Sequence, residues 1–154
     1  MRTVMTAAFV LSLMTGSAFA ADSAKVVLDR HVAAMKAGDL DAVMADYADN
    51  TVVIVPAGVV PGQKGLIVGE KGEALNVLDG KANARKFFAV LTGKGSAEAM
   101  KSMVSTYEMK GNDTTLMHWK QFPGTAKEVA GTDVWMIRDG KIITQVVLVN
   151  PTKK

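Results

Sequence analysis

The sequence predicts an α+β domain with an antiparallel sheet, and three observations predict it. Helix-periodic segments come first, between Lys25 and Leu91. Strand-like runs then follow one another from Ser102 to Asn150, and the turns between them carry hairpin residues, Gly111-Asn112-Asp113 and Asp139-Gly140. At 154 residues, 49% hydrophobic and 21% charged, the chain has the apolar material for one core and too much of it for disorder.

The first twenty residues are read apart from that domain. Arg2 supplies a positive start, Val4 to Met14 is almost uninterruptedly apolar, and Ala18-Phe19-Ala20 matches the small-x-small pattern of signal-peptide cleavage. Residues 1–20 are therefore expected to be a signal peptide cut after Ala20, with 21–154 a single domain that is periplasmic or secreted. The chain has no cysteine, so the core must hold without disulfides and a lipid-bearing cysteine anchor is excluded. No further apolar run is long enough for a membrane span. The formal net charge is +3, or +2 once Arg2 is removed, and no basic stripe interleaves with aromatics, so neither a membrane anchor nor a nucleic-acid partner is expected.

Taken in order, Val27, Leu28, His31, Ala34 and Met35 share one arc of a first helix, with Lys25, Asp29 and Lys36 on the other. Gly38 ends it and Asp39 caps the next, where Leu40, Val43, Met44 and Tyr47 recur at helical spacing; Tyr47 is read as the end of that second helix. From Thr51 the residues turn β-branched, and Pro56 closes a strand. Glycines at 58, 62, 65, 69, 72 and 80 mark a loop holding one short hairpin; its GQKG and GEKGE pieces lack phosphate-loop spacing, and no cofactor is assigned. A third helix places Ala84, Phe87, Phe88 and Leu91 on one face as core, stops at Gly93, and is followed by a helical turn near Ser96 to Ala99.

Four runs remain: Ser102 to Lys110, Thr114 to Phe122, Val129 to Arg138 and Lys141 to Asn150. In the last, Ile143, Gln145, Val147 and Val149 alternate with Ile142, Thr144, Val146 and Leu148, so both faces are apolar. With three helices to cover one face, the open face is expected to meet a second copy, a homodimer.

Helix, Gly-Asp break, helix, Tyr-Ala-Asp-Asn, apolar strand, a later Phe-Phe helix and a closing Arg-Asp-Gly-Lys-Ile hairpin together resemble the nuclear transport factor 2-like superfamily in its SnoaL-like branch. The resemblance covers the whole segment after residue 20. It implies a cone: a strongly curved antiparallel sheet wrapped around three helices, with an apolar pocket between them. That fold hosts isomerases, cyclases, hydrolases, dehydratases and binding domains, so it does not decide function.

The likeness is strongest to the bacterial ketosteroid isomerases. It implies that His31 stands where they carry an oxyanion-hole tyrosine, and that Asp133, two residues before Trp135, matches their protonated aspartic acid. Their catalytic base falls on Val55 before Pro56, and valine cannot move a proton. Read from the residues alone, His31 is a core histidine bonded to a carbonyl or a pocket donor, and Asp133 is paired, neutral, or at a wet strand end. The family register places Leu116, His118 and Lys120 toward the pocket and Met117 with Trp119 outside, although a slip of one exchanges the faces. Gln145, an amide among aliphatics, needs a partner and is placed in the pocket; Tyr47 is expected to reach the rim with its hydroxyl, and Trp135 to wall the cavity. No metal-ligand spacing joins the two histidines to an aspartate, and no metal is expected.

The expected function is binding of a small apolar or amphipathic molecule through a carbonyl or hydroxyl oxygen, with His31 and Asp133 donating to it. An enzyme built this way would be an isomerase, cyclase or lyase. The alternative is a non-catalytic dimeric interaction module whose pocket is filled by its own side chains.

Overall fold

Gly38 and Asp39 make the sharp turn on which the helical layer depends. In the computed structural model, which describes residues 23–59, 66–68, 73–111 and 113–150, helix α1 (Ala24–Ala37) starts at Ser23, whose side chain accepts from the Val26 amide. It ends at Gly38 with φ of 72°, a left-handed conformation that costs glycine little. Asp39 then caps α2 (Leu40–Ala45) by accepting from the Ala42 amide at 3.0 Å. Val27, Leu28, His31, Ala34 and Met35 are buried together, as the helical period requires, and Val32 joins them.

The second helix is shorter than its apolar spacing suggests. Tyr47 does not end it; Tyr47 opens strand β1 (Tyr47–Pro56), opposite Ile142, because the Asp46 carbonyl accepts from the Ile142 amide at 2.8 Å and commits the backbone to the sheet. The Asp46 carboxylate, itself buried, binds Arg30 of α1 at 2.6 Å and fastens the helix to the start of that strand.

Strands β2 (Leu66–Val68) and β3 (Glu73–Asp79) form the hairpin expected in the glycine-rich stretch, and α3 (Lys81–Leu91) follows Gly80. A 3-10 turn over Lys94–Ser96 leads into a fourth helix, α4 (Ala97–Ser102), longer than the single turn expected there. Strands β4 (Val104–Lys110), β5 (Thr114–Gln121), β6 (Val129–Arg138) and β7 (Lys141–Val149) complete the chain. Asp139 and Gly140 both have positive φ, 51° and 70°, as a tight hairpin between right-twisted strands needs. The expected signal peptide at Met1 to Ala20, and the GQKG and GEKGE pieces for the most part, lie outside the described residues.

The sheet runs β2-β3-β1-β7-β6-β5-β4. Neighbours are antiparallel, as expected, except β1 and β7, which are parallel. Those two strands are far apart in sequence, and the connection between them is long enough to return the chain in the same direction. One face carries the core and the helices: Val53, Val55, Met117, Trp135 and Val147 point inward against Leu28, Phe87 and Phe88. Where β6 meets β7 the register shifts between Met136 and Ile137. This irregularity turns Ile142 inward on the same side as Gln145, which strict alternation would forbid.

Candidate functional site

Register decides which side chains meet under the helices. Met117 lies opposite Asp133, and Asp133 opposite Val147; one row along, Thr115, Trp135, Gln145 and Val53 line up across four strands; on the other side Trp119 faces Gly131. Gly131 leaves the space that Trp119 fills, since a β-carbon there would sit 2.2 Å from the indole and 2.4 Å from the Leu148 carbonyl oxygen. The indole lies across β6 and reaches Asp133.

Three bonds join these rows. Trp119 Nε1 donates to Asp133 Oδ1 at 2.8 Å, Gln145 Nε2 donates to Asp133 Oδ2 at 2.9 Å, and the Tyr47 hydroxyl donates to Gln145 Oε1 at 2.6 Å. Asp133 is 5% exposed and Gln145 2%. Burial without a cation raises the Asp133 pKa to about 7, even though the two bonds it accepts pull it the other way. The carboxyl is thus poised to titrate near neutrality.

His31 hangs over this floor from α1, its ring edge-on to Trp135 at 5.0 Å and to Tyr47 and Phe88 at 5.5 Å. Burial alone lowers its pKa to about 3, so the imidazole is neutral at physiological pH. Its Nδ1, like Trp135 Nε1, has no hydrogen-bond partner among the described residues.

Between helices and sheet lies a cavity of about 230 Å³. Asp133, Trp135, Gln145, Trp119 and His31 supply its polar end. Phe87, Phe88 and Leu91 of α3, with Met35 of α1 and Met100 of α4, supply its apolar wall, and the exposed Val149 lies at its edge. A space of this size, apolar with a few convergent polar atoms, has the makings of a small-molecule site.

The sequence-predicted residues divide accordingly. His31, Asp133, Trp135 and Gln145 meet at the cavity. Tyr47 is 1% exposed and stands behind Gln145 instead of reaching the rim, its hydroxyl committed to the amide. Val55 is fully buried but forms no part of the cavity wall, which its neighbour Pro56 reaches. His118 is on the outer face, half exposed, with Nδ1 2.9 Å from Thr132 Oγ1. The expected register was off by one residue: Met117 and Trp119 face the cavity, while Leu116, His118 and Lys120 face out. The physical reason is the Trp119 indole, which finds both a space at Gly131 and an acceptor at Asp133 only on the inner side.

Asp133 has partners that the isomerase likeness did not include: both its oxygens accept from protein donors, Trp119 and Gln145. Trp119, which holds it, escaped the sequence reading; the available signal was Gly131 in mid-strand, since a glycine there marks close approach by a neighbour. No group of three or more metal-ligating side chains gathers among the described residues, and His118 lies across the sheet from His31 and Asp133.

With the geometry in place, comparison with known proteins is informative. The model of the SnoaL-like domain matches residues 28–145. The chain belongs to the SnoaL-like family. Solved structures agree on the fold. A protein from Sphaerobacter thermophilus shares 12% identity at a TM-score of 0.59, over 84% of this chain and 97% of that one. An NTF-2 like protein of unknown function from Burkholderia xenovorans LB400 shares 16% identity at 0.57, over 84% and 85%. A de novo designed protein with a curved β-sheet shares 15% at 0.58, over 82% and 84%. No curated protein matches the chain. This SnoaL-like domain therefore has the nuclear transport factor 2-like cone expected of it, and its chemistry has to be argued from its own cavity.

Proposed function

We propose that this SnoaL-like domain binds a small amphipathic molecule, its apolar body among Phe87, Phe88, Leu91 and the methionines and its polar end at Asp133 and His31. The observation that carries this reading is the cavity of about 230 Å³ ending on a buried carboxyl group. A filled-pocket interaction module would have no reason to keep that space, nor to leave His31 Nδ1 without a partner. Because Asp133 accepts, a ligand hydroxyl or N–H suits it better than a carbonyl; His31, neutral, can serve either kind of atom.

A catalytic version follows from the same geometry. A carboxyl group with a pKa of about 7 at the end of an apolar-walled cavity is matched to proton abstraction near neutral pH. In an isomerase, cyclase or lyase reading, Asp133 is then the base that Val55 cannot be, and His31 the polar neighbour of the developing charge.

Export and dimerisation complete the proposal. The apolar start of the sequence and Ala18-Phe19-Ala20 support export. For the dimer, the register aligns Val77, Ile54, Val146, Val134 and Leu116 across five strands of the outer face, none of them buried. Such a stripe suits a second copy, and a charge at its centre, Val146→Glu, would then produce monomers on sedimentation.

Native mass spectrometry of the protein purified from its own host, followed by extraction of any retained small molecule, tests ligand and assembly together. A retained molecule lost in His31→Trp, which fills the cavity, supports the reading. Retention unchanged in that variant would place the ligand elsewhere and defeat it.

A further inference from the structure

We propose that the ligand of this cavity is an organic amine, taken up as its ammonium ion with the N–H groups donating to Asp133 and the apolar body among the rings and thioethers. This rests on the ligand-binding reading above and narrows it to one chemical class.

The argument begins with the lone pairs of Asp133. A carboxylate offers about four acceptor positions, and the two protein donors, Trp119 Nε1 and Gln145 Nε2, occupy one on each oxygen. Both donors are neutral. No lysine or arginine lines the cavity among the described residues. The titratable groups that face Asp133 are His31 from α1 and, beyond Gln145, Tyr47 from β1; burial keeps the imidazole neutral, with a single N–H, and raises the tyrosine pKa well above its ordinary value, so both are uncharged. Strands β5 and β7 and helices α3 and α4 add no titratable side chain to the wall. Asp46, just before β1, is bound by Arg30.

A buried carboxylate held by neutral donors alone is costly, and the missing component is a cation. An ammonium supplies the charge and up to three donors at once, whereas a carboxylate or a carbonyl would set acceptor against acceptor. The rest of the wall suits an organic cation as well. Trp119, Trp135, Phe87 and Phe88 are aromatic, and Met35, Met100, Met103 and Met117 are polarisable thioethers, so they can surround a cation without competing for its N–H groups.

The test uses three probes that share one body: 1-naphthylmethylamine, 1-naphthalenemethanol and 1-naphthoic acid, titrated calorimetrically into the intact protein at pH 6 and pH 8. The amine should bind about tenfold or more tighter than the alcohol at pH 8, the acid should not bind, and the amine's affinity should drop by roughly fivefold or more at pH 6 as Asp133 takes up a proton. Amine binding at pH 6 should also release protons, seen as a buffer-dependent heat. Asp133→Asn should bring the amine to the alcohol's affinity while leaving the alcohol within about threefold of the parent. This variant can keep both network bonds, because the Gln145 amide can turn over and Tyr47 can accept in place of donating. If it nevertheless unfolds, the parent's pH dependence and proton release decide. Alcohol binding as tight as amine, or acid binding tightest, overturns the amine assignment and leaves the ligand-binding reading intact. No binding by any probe, with Trp fluorescence unchanged, overturns both.

Discussion

Strands β5, β6 and β7 present two surfaces built from alternate residues of the same backbone, and the histidine on each side shows how differently they behave. His31, packed onto the inner face, is 2% exposed, ringed by Tyr47, Phe88 and Trp135, and takes up a second proton only below about pH 3. His118, on the outer face, has half its side chain in water, with Thr132 beside it and Glu108 at 3.9 Å. The acidic groups tell the same story. Asp133 inside is held by two neutral donors and titrates near 7, while Glu108 outside lies against Lys110 and is held below the usual carboxylate range by that bond. Residue type supplies the chemistry that is available; the face on which it lands decides whether water or protein completes it.

The largest expected effect comes from closing the space that lets Trp119 lie inward. Gly131→Ala places a methyl group into the indole and against the Leu148 carbonyl oxygen. It should cost about 3 kcal/mol or more in urea denaturation, because overpacking is joined by loss of an Asp133 donor. The adjacent outward residue is the control: Thr132→Ala should stay within about 1 kcal/mol. Equal losses at the two positions would erase the distinction between the faces.

The next effect is one of pH, and the sign differs for the two buried groups. Asp133 has a folded pKa raised from 3.8 to about 7, so between those values the native state holds a proton that the unfolded state has lost, and stability falls as pH rises. His31 has a folded pKa lowered from 6.5 to about 3, so between those values the unfolded state holds the extra proton, and stability rises with pH. From about pH 4 to 6.5 the two contributions oppose each other and the parent's stability should be nearly flat on their account. His31→Phe should unmask a fall in stability of up to about tenfold in the folding constant per pH unit over that range, and Asp133→Asn a rise of similar size. Thermal melts across pH 4 to 7 read both. Parallel profiles for the two variants would show that these groups do not set the pH dependence.

Smaller effects separate the two tryptophans. Trp119→Phe removes the donor to Asp133 Oδ1 and should cost about 1–3 kcal/mol above pH 7, and less at pH 5, where the carboxyl is protonated. Trp135→Phe removes an N–H that has no partner among the described residues, so its cost should come from lost packing and show no such pH dependence. On the outer face, His118→Ala should shift stability by no more than about 0.5 kcal/mol, checked in the same melts.

Several features were already determined by the sequence, for physical reasons that are local. A 3.6-residue period selects a helix face without reference to anything else, and the arc from Val27 to Met35 is buried as that period demands. Gly38 and Asp139-Gly140 take left-handed backbone where such residues are placed to do so. The order of helices and hairpins gave α+β, and the resemblance to the SnoaL-like family that this order carries implied the cone and a pocket shared by His31, Asp133, Trp135 and Gln145.

Tertiary structure decided the rest. Alternation states which residues share a face, but when both faces are apolar it cannot say which turns inward; the fit of Trp119 over Gly131 settled that and sent His118 outside. The register shift at Met136 and Ile137 brought Ile142 to the same side as Gln145, a displacement that period-2 reasoning cannot foresee. Tyr47 fitted a helical period yet was drawn into β1 by the Ile142 amide, a partner 95 residues away in the chain. The role of Asp133 as acceptor, finally, came from two donors on neighbouring strands, Trp119 and Gln145, and contacts of that range exist only once the sheet is paired.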